Sequence, residues 1–545
     1  MKTRTILVAM LVMVSMTAFP RDKKIVSFSW EWSGTGPVEL LDLQPQIAAT
    51  GLDGIGVSLS FNQDGRELAS RGICENTWRY ESICQLAGQY RKVTGKRGLT
   101  DCFLSSFYVP KQRFDWTDDA SWNIVRDNMR LCARFAKESG FVGLYVDPED
   151  YPGTRQFERF PDDPPMKELV PIVRRRGREL FKVVFDEFPN AKLFFFWFMT
   201  EHAKRFSGAA EPLHALRDAG LLWAFFANGI LDAMPPTGRI YDGNECSYEY
   251  KSGDFEYLIQ ANAIREMDRF AYPENRAKYV AQVTPSTALF LEMYCRTNST
   301  VRWYRPPFAG SRLGMFRRDL KQALDSVDEY IWTFGGQHPY VRRKIGPEVN
   351  NWYRKIWSAE TYDDMMPGFN RTIVAIKSPM RFLDEIYPEM MCSSSAPKNL
   401  VSPDLSPKHN WQAKKKNRVP GTFSEDCAVF GTSAPAVKVE GVAEGCLSVS
   451  VGGVHAGEIY ALRIKTKVKS GGFSANAKWE RDGKWRHFEP VTALSFGEPD
   501  EKGWRTGRAI VTVPENVDSL ALLFNVYQEP GEICWVDDAE IVRID

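Results

Sequence analysis

Apolar runs of about strand length recur along the first two thirds of the chain, and the segments between them have the period of helices. The runs are "KIVSFSWEW" (24–32), "LDGIGVSLSF" (52–61), "LTDCFLSSFY" (99–108), "FVGLYVD" (141–147), "AKLFFFWFM" (191–199), "GRIYDGNE" (238–245), "TALFLEMY" (287–294) and "EYIWTFGG" (329–336). After the first gap their starts lie roughly 40–50 residues apart. Some, such as "LFFFWF", are apolar at every position, as parallel strands covered on both faces are. The clearest helix, 118–140, puts Trp122, Val125, Met129, Cys132 and Ala136 on one stripe, with acids at its start and Gly140 at its stop. "LLWAFFANGILDAM" (221–234) is apolar and stops before Pro235-Pro236, which predicts a buried helix. Eight βα units over about 350 residues predict an α/β fold of the (β/α)8 TIM-barrel type. A doubly wound open sheet would carry a glycine-rich phosphate turn after an early strand, and no GxGxxG stands there.

From about 385 the texture changes. "CSSSAPKNLVSPDLSPKHNWQAKKKNRVPG" is rich in Ser, Pro and Lys, and beyond it come short alternating runs with turn signals, the pattern of an all-β sandwich. The expected division is a barrel over 21–385, a linker over 386–400 and a sandwich over 401–545. The segments "NLVSPDLS", "GEIYALRIKTKV" and "VPENVDSLALLFNVYQEPGEICWVDDAEIVRI" resemble the jelly-roll carbohydrate-binding modules appended to secreted glycanases, over roughly 398–545. The resemblance implies that fold and a carbohydrate ligand. Trp535 is expected in its core, and Trp479, Trp485 and Trp504, nearer turns, are expected to be exposed.

Composition narrows the partners. The 70 Lys+Arg against 69 Asp+Glu leave no global field to recruit nucleic acid or an anionic membrane. The short basic runs Arg174-Arg175-Arg176 and Lys414-Lys415-Lys416 read as solvated faces. Residues 1–20, "MKTRTILVAMLVMVSMTAFP", carry Lys2 and Arg4 before a short apolar run, the pattern of an export signal cleaved near Ala18. No later segment has 18 uninterrupted apolar residues, so no membrane span is expected and the protein should be secreted or periplasmic. The ten cysteines are compatible with disulfides there but show no CxxC or CxxH spacing. Six histidines form no HExxH or HxH pair, and no GxSxG elbow or P-loop is present. No metal and no cofactor are expected; the pattern leaves the oligomeric state open.

Candidate chemistry gathers where strands end, as it does in barrels of this type. Strand 1 ends Trp30-Glu31-Trp32, and strand 4 ends Asp147-Pro148-Glu149. Strand 6 carries Asp242 and ends Asn244-Glu245, strand 7 carries Glu292, and strand 8 offers Trp332, then Gln337 and His338. A carboxylate is too costly to bury unless paired or hydrogen-bonded. Acids at several strand ends, interleaved with Trp30, Trp32, Trp197 and Trp332, therefore suggest a shared mouth rather than unrelated caps. Glycoside hydrolysis needs such an inventory: one carboxyl kept protonated and another ionised. The barrel end resembles the retaining clan A glycoside hydrolases, whose acid/base follows strand 4 and whose nucleophile follows strand 7. That resemblance implies Glu149 as acid/base and Glu292 as nucleophile. The clan's Asn-Glu is replaced at strand 4 by Asp147-Pro148-Glu149 and stands instead at Asn244-Glu245, so Glu245 competes for a role. The expected catalytic set is Glu149, Glu292, Glu245 and Asp147, with Trp30, Trp32, Trp197, Asp242, Asn244, Trp332 and His338 binding a carbohydrate substrate. A catalytically inactive glycan-binding barrel and a polysaccharide lyase are the other readings.

Overall fold

A computed structural model of the chain describes residues 23–107, 109–250, 255–343, 358–394, 396–401, 412–413, 421–431 and 435–545. The expected export signal and the Lys414-Lys415-Lys416 run lie outside these residues. The chain divides into two compact units, 1–305 with 319–367 and 306–318 with 368–545.

The first unit is built on one curled, nine-stranded parallel sheet. Its strands are β1 Lys24–Ser27, β2 Gly54–Val57, β3 Phe103–Phe107, β4 Gly143–Val146, β5 Lys192–Phe195, β6 Arg239–Asp242, β7 Val283–Pro285, β8 Ala288–Phe290 and β9 Tyr330–Phe334. They lie in the order β8-β9-β1-β2-β3-β4-β5-β6-β7. β7 and β8 stand at opposite ends of that order, yet only Ser286 and Thr287 separate them in sequence. Ser286 N–H donates to the Asp242 carbonyl (2.8 Å), and Thr287 accepts from Trp332 N–H (2.9 Å). Eight of these strands lie inside the expected runs but are shorter, and β7 Val283–Pro285 falls before the 287–294 run, where no strand was expected. Trp30–Trp32 is a 3-10 turn, Glu245–Glu249 another, and Glu292–Cys295 a helical turn, so none of these acids lies within a strand.

Between strands come the helices the periodicity predicts. Asp118 caps Asp119–Ser139 by accepting the Ala120 N–H (3.0 Å), and Gly140 ends it in the left-handed region at φ 75°. Cys132 on its stripe is fully buried. The apolar helix Trp223–Ala233 is buried through most of its length. Arg176 departs from the solvated face expected of the basic run. It is 2% exposed, bonded to the Trp116 carbonyl and paired with Asp119 (2.6 Å) and Glu179 (3.2 Å).

Rings fill the interior of the sheet. Phe28 contacts Phe103, Tyr145, Phe194, Phe196 and Trp332, and Trp332 stacks on Phe196 with centroids 4.5 Å apart. Near the strand N-termini the rings give way to charge. Lys24 pairs with Asp101 and Lys192 with Glu329, both at 2.7 Å, and the Tyr330 and Tyr241 phenols donate to Asp101 and Glu329. These charges neutralise one another, which leaves the opposite, C-terminal ends of the strands for the candidate site.

The second unit contains two six-stranded antiparallel sheets, with helices near its start. From Pro435–Glu440 onward its long strands alternate between sheets, and Val437, Leu462, Trp479, Val511, Phe524 and Val536 belong to their common core. Residues 386–400, expected as a linker, begin with helix Tyr387–Cys392, and Tyr387 is buried against the sandwich strands. Trp485 is 39% exposed, as expected, but Trp479 and Trp504 are buried. Trp535 is half-buried and donates to Asp426 (2.9 Å). Among the described residues no cysteine forms a disulfide, and no helix is long and apolar enough to cross a membrane.

Candidate functional site

After β4 the chain must turn, because Pro148 has no N–H to continue a ladder. Asp147, buried, makes the turn by accepting the Glu149 N–H (3.1 Å), and Glu149 follows half-buried. Asp150 is a cap: its carboxylate accepts the Thr154 and Arg155 N–H groups. The Tyr151 side chain is 67% exposed while its phenol bonds to Glu149. That phenol is raised by burial and by the charges of Asp147, Glu149 and Glu245. With so much of the side chain in solvent, the charges are the sturdier cause.

At the end of β6, Asp242 has no exposed surface. It accepts from Met199 N–H (2.8 Å), Thr200 N–H (3.2 Å), Thr200 Oγ1 (2.8 Å) and Asn244 N–H (3.3 Å). It clamps the start of helix Thr200–Phe206 to β6, so its role is structural rather than the expected substrate contact. Asn244, in the left-handed region at φ 47°, bonds the Tyr250 hydroxyl (2.8 Å) and turns the chain into Glu245. Glu245 has a buried, unpartnered Oε2. Burial, followed by the charges of Glu149, Asp147 and Glu201, pushes its carboxyl up to about 9. It therefore keeps a proton at neutral pH.

Glu292 begins the helical turn after β8 and is 1% exposed. Its Oε1 accepts three bonds: Gly336 N–H (2.6 Å), Gln337 N–H (2.7 Å) and the Tyr362 hydroxyl (2.7 Å). Its Oε2 is buried without a partner. A Cβ on Gly335 would stand 1.9 Å from the Tyr362 hydroxyl, so only glycine lets that phenol approach. Tyr248 links the acids. It is buried with an unpartnered hydroxyl, and its phenol is raised by burial and by the charges of Glu245, Glu149, Glu292 and Asp147. All four expected catalytic carboxylates thus share one neighbourhood.

The rings separate into two groups. Trp30, Phe334, Phe290 and Trp303 are half-buried and successively in contact, at centroid distances of 5.6–6.1 Å. Trp303 also meets Tyr248 at 6.0 Å. Trp197 is half-buried against Trp223 and His202. Trp32 and Trp332 are corrections, since both are fully buried. Their indoles donate inward to Ser27 Oγ (2.9 Å) and the Gly243 carbonyl (2.7 Å), so neither offers a face to a ligand. His338 is half-buried, bonded to the Glu360 carbonyl, with its ring 5.9 Å from Tyr362. Sequence reasoning missed Tyr248, Tyr362, the Gly336 amide and the Phe290–Trp303–Phe334 rings, and found Gln337 only as a residue at the end of a strand, not as an amide donor to Glu292. Glu31 stood out only as a strand-end acid. No group of three or more His, Cys, Asp or Glu side chains among the described residues could hold a metal ion.

No family model matches the chain, and no curated protein matches its sequence. Among solved structures, the xylan-binding CBM22-1 domain of Paenibacillus barcinonensis Xyn10C is similar over 28% of this chain and 99% of its own, at 14% identity and TM-score 0.22. The module TmCBM61, solved with β-1,4-galactotriose, is similar over 27% of this chain and 99% of its own, at 13% identity and TM-score 0.19. The enzymatically active domain of tailspike protein 4 from bacteriophage CBA120 matches over 27% of this chain but only 21% of its own, at 13% identity and TM-score 0.22. Overlaps this small leave fold and function to be argued from the residues themselves.

Proposed function

We propose that the chain is an exported glycoside hydrolase acting on a poly- or oligosaccharide, with its site at the C-terminal ends of the parallel strands. The observation that carries the reading is the contrast between two acids around Tyr248. Glu245 keeps a proton at neutral pH, whereas one oxygen of Glu292 is pinned by three donors and the other is free. In this reading Glu245 protonates the leaving oxygen and Glu292 acts as nucleophile. Burial, assisted by the charges of Glu149 and Asp147, keeps the proton on Glu245. The first unit is then a closed (β/α)8 barrel, with β7 and β8 as two halves of one strand; their near-continuity and the bonds at Ser286 and Thr287 support this. The half-buried rings Trp30, Phe334, Phe290, Trp303 and Trp197 would stack on sugars. The second unit, by its resemblance to jelly-roll carbohydrate-binding modules, would hold the polymer.

The test is Glu149→Gln, Glu245→Gln and Glu292→Gln on a panel of aryl glycosides and polysaccharides. At least two should lose about 10²–10⁴-fold in rate without loss of fold. A good leaving group should partly rescue the acid variant, and azide the nucleophile variant. Three folded variants with near-normal rates overturn the assignment. Glycan binding without turnover by the wild type would favour an inactive binding barrel.

A further inference from the structure

Glu31 is a buried acid near the site that neither this mechanism nor a structural clamp accounts for. It lies on the turn after β1, 2% exposed, and its Oε2 accepts the Tyr340 N–H (2.8 Å). Its Oε1 is buried without a partner, as is Oε2 of Glu292, and the two carboxyls lie within range of each other's charge. Two buried carboxylates within range of each other's charge cannot both ionise cheaply. One must stay neutral, and the surroundings decide which.

The groups around Glu31 come from four elements. From the segment after β9, Arg343 bonds the Glu31 carbonyl, but its guanidinium is committed to Glu39 (2.5 Å) of helix Pro37–Ala49 and to Thr35 (3.1 Å). From the same segment Tyr340 gives its N–H to Oε2 and its hydroxyl to Thr333 (2.8 Å). The Tyr362 phenol is spent on Glu292. Glu292 itself contributes like charge from the turn after β8. Glu292 thus receives three donors and Glu31 one, so the negative charge belongs on Glu292 and the proton on Glu31.

We propose that Glu31 is a positioning residue, a neutral carboxyl beside Glu292, so that the pair carries a single negative charge, the one the nucleophile needs. The proposal rests on the hydrolase reading of Glu292. Burial pushes Glu31 up to about 8, against the opposing pull of Tyr340 N–H and Arg343. The carboxyl is thus neutral at pH 7, and above pH 8 it becomes a second charge beside Glu292.

Infrared spectroscopy of the full chain tests the proton without relying on activity. Wild type at pH 7 should show, beside the component from Glu245 that titrates near 9, a protonated-carboxyl carbonyl component lost with a midpoint near 8. Glu31→Gln should lack this component, and Glu292→Gln should retain it with a lower midpoint, because a like charge is gone. If the component with the midpoint near 8 survives in Glu31→Gln and vanishes in Glu292→Gln, the proton is on Glu292 and the proposal is overturned. Glu292→Gln alone still decides this if Glu31→Gln does not fold. For the role in turnover, Glu31→Gln should keep its rate at pH 6–7 within about threefold. At pH 9 it should hold about a tenfold advantage over wild type in relative kcat/KM, because only Glu245, at about 9, still limits it. Coincident alkaline limbs overturn the positioning role. The infrared pattern without any wild-type turnover would instead sink the hydrolase reading while leaving the proton on Glu31.

Discussion

Replacing Glu245 by Gln should stabilise the protein, and the gain should grow with pH. The carboxyl titrates near 9 in the folded chain against an ordinary 4.5. Below pH 4.5 both folded and unfolded chains hold the proton, so the group costs nothing. Between 4.5 and 9 the unfolded chain releases the proton and the folded chain does not, so folding stability falls as pH rises; above 9 the loss is complete. At about 1.4 kcal/mol per pH unit, the cost is about 3.4 kcal/mol at pH 7 and about 6 kcal/mol above pH 9. The charges of Glu149 and Asp147 raise this carboxyl together with burial, so these figures are ceilings and roughly half is the expected gain. Gln has the same shape and no proton to lose, so Glu245→Gln escapes the penalty. Urea unfolding of both proteins at pH 4.5, 7 and 9 measures it, with equal m-values confirming that the comparison is fair. The variant should match wild type at pH 4.5 and exceed it by about 2 kcal/mol at pH 7. Glu149→Gln should flatten the wild-type curve in part, and the two substitutions should not add. Parallel stability curves for wild type and Glu245→Gln would refute the reasoning, because a carboxyl that keeps its proton by burial must show it in linkage.

Much of this layout was legible because strands and their neighbours follow local rules. Apolar runs such as "LFFFWF" and the stripe of 119–139 announce themselves. Acids directly after a strand are local facts too, which is why Asp147, Glu149, Glu245 and Glu292 could be found together. Glu292 was misplaced inside a strand because "LFLEMY" is equally apolar as strand or helix, and no Gly or Pro marks the point where Leu291 turns helical. The three donors to Glu292 have no local signature. Tyr362 lies 70 residues away, and the Gly336 and Gln337 amides are visible only once β9 lies beside β8. Trp32 and Trp332 look like the mouth tryptophans in composition; only the inward hydrogen bonds separate them from Trp30 and Trp197. The Trp479 error was avoidable. Ala475, Ala477 and Trp479 alternate on one strand face, so period two already places the indole in the core.

Two further substitutions probe the walls of the site. His202 is buried beside Trp197 with an unpartnered Nε2, and burial and then Arg205 lower its ring to about 4 from an ordinary 6.5. Its contribution is intact above pH 6.5 and is lost as pH falls to 4, a loss of up to about 3.4 kcal/mol. His202→Gln should remove that acid limb from the urea midpoint, and an unchanged limb counts against a neutral buried ring. Gly335→Ala should act on Glu292 without touching it. The new methyl would overlap the Tyr362 hydroxyl at 1.9 Å, with Ser29 Oγ also close, at 3.3 Å. The phenol must withdraw, and the 2.7 Å bond to Glu292 breaks. A hydrogen bond to a charged group is worth about 1.5–3 kcal/mol. If Glu292 is the nucleophile, that is roughly 10–100-fold in kcat, since about 1.4 kcal/mol is tenfold. Tyr362→Phe removes the same bond without adding bulk, so the two variants should fall by similar factors and the double variant by little more. A Gly335→Ala protein with wild-type turnover, or one whose loss simply multiplies with that of Tyr362→Phe, would show that the third donor does not act through this contact.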